Sequence, residues 1–111
     1  MGGVPPVRAQ TIKDLIEATG EEGYAQIRAE FLSSTERRLA EMARVAETGD
    51  AETLRVAAHA LRGASGSLGA VRLEALCREL ESRAAAGLPR EERQAAVSRL
   101  AEEFAAVRRA L

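Results

Sequence analysis

The chain has 111 residues, of which 16 are basic and 17 acidic, for a formal net charge of −1 at pH 7. That length suits one domain with one core, and so even a charge balance gives no global attraction to nucleic acid or to an anionic membrane surface. Aromatic residues are 3% of the chain and tryptophan is missing, so the core must be aliphatic, which favours an all-α architecture over a sheet.

Other classes fall away on single residues. Cys77 is the one cysteine and His59 the one histidine, which leaves no internal disulfide and no metal-ligand set. No apolar run approaches the roughly 20 residues of a membrane-spanning helix, and the opening Met1-Gly2-Gly3-Val4-Pro5-Pro6 does not have the pattern of a secretory signal. A cytoplasmic protein without membrane insertion is expected.

In chain order, residues 1–10 read as a flexible Gly/Pro lead-in and residues 11–111 as a single helical domain. Thr11 is placed to cap a short helix ending at Thr19, with Ile12, Leu15 and Ile16 as its apolar side and Gly20 as its stop. A long helix follows from about Glu21 to Thr48, with Tyr24, Ile27, Phe31, Thr35, Leu39, Met42 and Ala46 recurring at steps of three and four. At about 1.5 Å per residue it spans on the order of 40 Å. Gly49-Asp50 makes a turn, and Asp50 caps a third helix that runs to about Leu68 and is ended by Gly69. A fourth, from about Ala70 to Ala86, presents Leu73, Leu76, Cys77, Leu80 and Ala84 on one side. Gly87 closes it, Pro89 opens the last helix, and Val97, Leu100, Phe104, Val107 and Leu111 form that helix's seam. Short connections make neighbouring helices antiparallel. The predicted fold is an up-down-up-down four-helix bundle over about 21–111, with the additional short N-terminal helix at one end or edge.

The third helix carries the unusual chemistry. With Leu61 at the centre of its buried face, a step of about 100° per residue puts Leu54, Ala58, Ser65 and Leu68 near that face and His59 roughly 160° from it. His59 therefore points outward, together with Arg55, Arg62, Gly63 and Gly66. Each glycine in a helix interior costs about 0.8–1 kcal/mol relative to alanine, so two of them in an Ala-rich helix imply a function that offsets the loss. An exposed imidazole with guanidinium groups one turn away and no bulk beside it suits the approach of a protein bearing a negatively charged group. Cys77, by contrast, sits on an apolar face as a small core side chain.

The run His59-x-Leu61-Arg62-Gly63-x-Ser65-x-x-Leu68-Gly69-Ala70, followed by Leu73, Leu76-Cys77 and Leu80-Glu81, resembles the signature of histidine phosphotransfer (HPt) domains of two-component phosphorelays. The likeness extends over about residues 21–111. It implies that His59 accepts a phosphoryl group from a receiver-domain aspartyl phosphate, or from a kinase, and passes it to a response-regulator aspartate. Arg62 and Arg55 then favour the neutral ring and stabilise the phosphoryl group, while Gly63 and Gly66 admit the receiver. Glu81 stands where the family often has a polar side chain near the imidazole and could orient it, although a plain surface glutamate reads equally well.

Ser65 and Ser67 match small-residue positions. The family usually carries lysine where this chain has Arg62, which puts phosphohistidine stability and partner preference in question. The implied partners are receiver domains of response regulators or of a hybrid histidine kinase, with Mg²⁺ on the receiver and no cofactor on this chain. Without a Gly-rich nucleotide-binding stretch, the expected protein is a monomeric phosphoryl carrier lacking autonomous kinase activity. The alternative is a helical interaction module that has lost phosphotransfer.

Overall fold

A computed structural model describes residues 3–111; Met1 and Gly2 of the expected lead-in lie outside the described residues. Four helices account for the fold: α1 (Ala9–Thr48), α2 (Ala51–Ser67), α3 (Val71–Ala85) and α4 (Arg90–Ala110). Contacts between helices run α1–α2, α2–α3, α3–α4 and α4–α1, a closed ring with no diagonal pair among the described residues. The molecule measures 43 × 31 × 19 Å, its long dimension matching the rise of the part of α1 that follows Gly20, at about 1.5 Å per residue.

The predicted seams meet in one aliphatic core. Phe31, Leu39, Met42 and Ala46 of α1 face Leu54, Ala58 and Leu61 of α2, Leu73, Cys77 and Leu80 of α3, and Val97, Leu100, Phe104 and Val107 of α4. Phe31 and Phe104 pack with ring centroids 6.1 Å apart in a tilted pair, a geometry that aromatic quadrupoles favour. Tyr24 and Ile27 are only half-buried, because the first turns of the long helix project toward the edge of the bundle.

The N-terminal part differs from its sequence reading. Helix α1 begins at Ala9, and Arg8 stands at the N-cap without a side-chain cap. Thr11 does not cap because its neighbours are held otherwise. The Arg8 amide donates to the Gly69 carbonyl at 3.0 Å, and the Thr11 amide donates to the Arg8 carbonyl at 3.1 Å. The Thr11 side chain packs on Gly69, where an added Cβ would fall 2.7 Å from it. Within the described part of the lead-in Val7 is buried, Val4 is exposed, and Arg72 Nη1 donates to the Val4 carbonyl at 2.9 Å. Gly20, at φ 79° and ψ 169°, is non-helical and kinks α1 where the sequence places a stop, so that a short helical segment before it is followed directly by the long one.

The ends of α2 and α3 set the site. Asp50 caps α2, accepting from the Thr53 hydroxyl at 2.7 Å and the Thr53 amide at 3.1 Å; these bonds hold its carboxyl below the usual range. Gly69, at φ 73°, reverses the chain into α3, and the Ala70 amide donates back to the Ser65 carbonyl at 2.9 Å. Pro89 is the N-cap of α4, one position earlier than a first-turn proline; its carbonyl accepts from the Arg93 amide at 2.9 Å. Arg93 also donates from Nε to the Ala46 carbonyl at 2.9 Å and from Nη1 to the Leu88 carbonyl at 2.7 Å, which ties the start of α4 to the end of α1.

Candidate functional site

Helix α2 is amphipathic in the register that its sequence predicts. Leu54, Ala58, Leu61 and Ser65 are buried, and the His59 side chain, on the opposite side, is 60% exposed. Beside it stands Val56, the most exposed large apolar side chain of α2, at 52%. A Cβ added at Gly63 would meet nothing within 4 Å, so the face next to the imidazole is open.

The neighbouring helix α3 brings Glu81 to the ring. Its Oε2 lies 2.9 Å from His59 Nδ1, a contact across 22 residues of sequence. A carboxylate only accepts, so Nδ1 carries the hydrogen, and in the neutral ring Nε2 is the nitrogen with the free lone pair. The Glu81 side chain itself is 18% exposed, held down between α2 and α3.

The two arginines differ in how they are held. Arg62 Nη1 lies 3.2 Å from Glu81 Oε1, yet that oxygen has no hydrogen-bond partner, so the pair is close in distance and poorly aligned. Arg55 is engaged by Glu52 through two bonds, Nε to Oε1 at 3.1 Å and Nη2 to Oε2 at 2.6 Å. The bonds from Arg55 lower the Glu52 carboxyl below its usual range, and the same bonds raise Arg55. Each arginine around His59 thus faces a carboxylate, where the sequence suggests unopposed positive charge. The spacing of Glu52, three residues before Arg55, puts the two side chains on neighbouring positions of one helix face.

The remaining candidates separate. Gly66 is not open in the way Gly63 is: an added Cβ would lie 2.9 Å from Glu74 Oε2, so a flexible carboxylate from α3 shields it. Ser65 is buried with its hydroxyl unpartnered, and Ser67 Oγ donates to the Gly63 carbonyl at 3.1 Å, within its own helix. Cys77 is buried in the core and its thiol is pushed up to about 12 by that burial. No group of carboxylate, histidine or cysteine side chains suited to a metal ion occurs among the described residues. Ile12 and Leu15 are half-buried and pack against the core. A shallow apolar groove of about 420 Å³ does flank the site, between α1 and α2, lined by Ile27, Phe31, Ala64, Ser67 and Leu68.

An outward histidine on a Gly-interrupted helix, with a carboxylate at one ring nitrogen, suits a phosphoryl carrier. The Hpt domain signature matches residues 26–110. The chain belongs to the Hpt domain family. Among solved structures, histidine-containing phosphotransfer protein B (HptB) from Pseudomonas aeruginosa PAO1 is similar at 31% identity and a TM-score of 0.85, over 96% of this chain and 90% of that one. None of the curated proteins matches the sequence. As an Hpt domain, the protein serves histidine phosphotransfer in a phosphorelay, a family of phosphocarriers that interact with receiver domains. No helix of the described residues is long and apolar enough to cross a membrane.

Proposed function

We propose that His59 is the phosphoryl-carrying residue and that its Nε2 is the atom that forms the bond. The observation behind this is the Glu81 Oε2 contact to Nδ1 at 2.9 Å, which leaves Nε2 with the free lone pair. In the forward step Nε2 attacks the phosphorus of a receiver's aspartyl phosphate. The N–P bond forms, the P–O bond to the aspartate breaks, and the carboxylate leaves with the electron pair. The phosphorylated ring, still protonated at Nδ1, carries a positive charge that the Glu81 carboxylate stabilises. Onward transfer is the reverse, with a second receiver's aspartate oxygen attacking phosphorus and Nε2 leaving. Neither direction needs a net proton transfer at the ring.

Arg62 is the first cation available to the phosphoryl oxygens, because its contact with Glu81 is misaligned and easily exchanged. Gly63 gives the receiver's loops room, and the apolar groove between α1 and α2 with Val56 supplies the docking surface. The divalent ion belongs to the receiver, and nothing in this reading gives the chain kinase activity of its own. Short turns and the ring of neighbouring helices support the antiparallel up-down-up-down order, with the segment before Gly20 as its appended short helix and the chain as one monomeric domain.

Incubation with a phosphorylated receiver domain tests the assignment. The native protein is expected to gain acid-labile, alkali-stable label and His59→Gln to gain none; label persisting in His59→Gln would refute it.

A further inference from the structure

We infer that Glu52 is a positioning residue that withholds Arg55 from the phosphoryl group and so sets how long phosphohistidine lasts. This deepens the reading of His59 above and rests on it.

Arg55 lies four residues before His59, on the same face and one turn away, close enough for a long side chain to meet a group on the imidazole. Helical side chains lean toward the N-terminus, so the ring of His59 lies over the turn that carries Arg55. Two arginines therefore flank the phosphoryl position, from i−4 and from i+3. They are not equally free. Arg62 faces an oxygen of Glu81 with which it makes no aligned hydrogen bond. Arg55 is tied in a fork-to-carboxylate pair with Glu52, at 3.1 and 2.6 Å, and the pair holds the guanidinium on a carboxylate in the first turn of α2. Glu52 also sits in the first turn of α2, where the helix N-terminus favours its negative charge and keeps it in place.

Both partners are substantially exposed, with side-chain exposures of 35% for Arg55 and 70% for Glu52. An exposed pair is weak enough to open. It thus biases Arg55 without removing it permanently. A carrier must hold the phosphoryl group and also release it, and a second guanidinium clamped on the phosphate would slow release. Committing Arg55 to Glu52 keeps the group labile.

The test compares the native protein with Glu52→Gln, Arg55→Gln and the double variant. Each is loaded with phosphoramidate, cleared of donor, and followed by ³¹P NMR for phosphohistidine decay, then by transfer to a receiver domain. Glu52→Gln is expected to lengthen the phosphohistidine lifetime about 2- to 5-fold and to slow onward transfer by a similar factor, the range open to one exposed charge pair. In the Arg55→Gln background the same substitution is expected to change nothing. That cancellation separates positioning from a general loss of helix stability, which circular dichroism melting of the four proteins reports independently. An unchanged lifetime in Glu52→Gln, or a change of equal size with and without Arg55, overturns the inference while leaving His59 as carrier. Failure of the native protein to label at all overturns both.

Discussion

Glu81 Oε2 approaches His59 Nδ1 to 2.9 Å from a different helix, so the α2–α3 register determines which imidazole nitrogen meets a carboxylate. Loss of that acceptor frees the ring to rotate and to exchange tautomers. Glu81→Ala is expected to lower the rate of phosphoryl uptake about 10-fold, the effect of one charge-assisted hydrogen bond at a half-exposed site. Glu81→Gln, which can still accept from Nδ1–H, is expected to lose less. Stopped-flow or quench measurements against a phosphorylated receiver check both. Equal rates in all three proteins would remove Glu81 from the mechanism.

Arg62 is expected to act on the phosphorylated state more than on the free protein. Arg62→Ala should shorten the phosphohistidine lifetime about 5-fold, since one flanking guanidinium is lost. Arg62→Lys is expected to retain transfer and to change the lifetime, because an ammonium is a point charge without the planar fork. Decay of ³¹P signal from the loaded proteins reads this directly.

Gly63 sets stability against access. Nothing stands within 4 Å of its missing Cβ, so Gly63→Ala is expected to raise stability by about 0.8–1 kcal/mol while slowing transfer from a receiver. Gly66→Ala should gain less, because Glu74 must first move away. Chemical denaturation and transfer rates on the same preparations reveal the opposed changes; a Gly63→Ala variant with undiminished transfer would show that the open face is not used.

Val56 offers a probe of docking that leaves the core untouched. Val56→Glu places a charge at the edge of the apolar face and replaces a β-branched residue with a better helix former. Its melting temperature is expected to hold, and its KM for a phosphorylated receiver to rise about 10-fold, as for a moderately important interface residue.

Cys77 predicts an alkaline limit. Burial raises its thiol to about 12, whereas in the unfolded chain it ionises near 8.5. Between those values the unfolded state binds fewer protons than the native state, so stability falls as pH rises, by up to about 1.4 kcal/mol per unit. Below about pH 8 the effect is nil. Denaturation midpoints from pH 8 to 11 are expected to fall more steeply for the native protein than for Cys77→Ala, and a thiol reagent should react only on unfolding.

What the sequence could show follows from what is local. Helical period placed Leu54, Ala58 and Leu61 inside and His59 outside from α2 alone. It also identified Asp50 as a cap, because an Asx cap depends on three following residues. Relationships across helices were not available in the same way. Whether Glu81 is a surface glutamate or a ring acceptor depends on the axial register of α3 against α2, which no spacing within either helix specifies. Thr11 shows the reverse error. It has the type and position of a cap, yet close packing on Gly69 takes its side chain, and the Arg8 carbonyl serves the amides around it. Gly20 was legible as well: its positive φ interrupts the helix where the sequence places a stop, and the long helix resumes directly beyond it.

The central claim is that His59 accepts the phosphoryl group at Nε2 while Glu81 holds Nδ1. Two-dimensional ¹H–¹⁵N NMR of histidine-labelled protein, recorded before and after phosphoryl loading, tests it most directly, since the sole histidine gives one pair of ring nitrogens. The expected result is phosphorus coupling at Nε2 and a protonated Nδ1 in both states. Coupling at Nδ1, or an unchanged ring in protein that carries label, would contradict it.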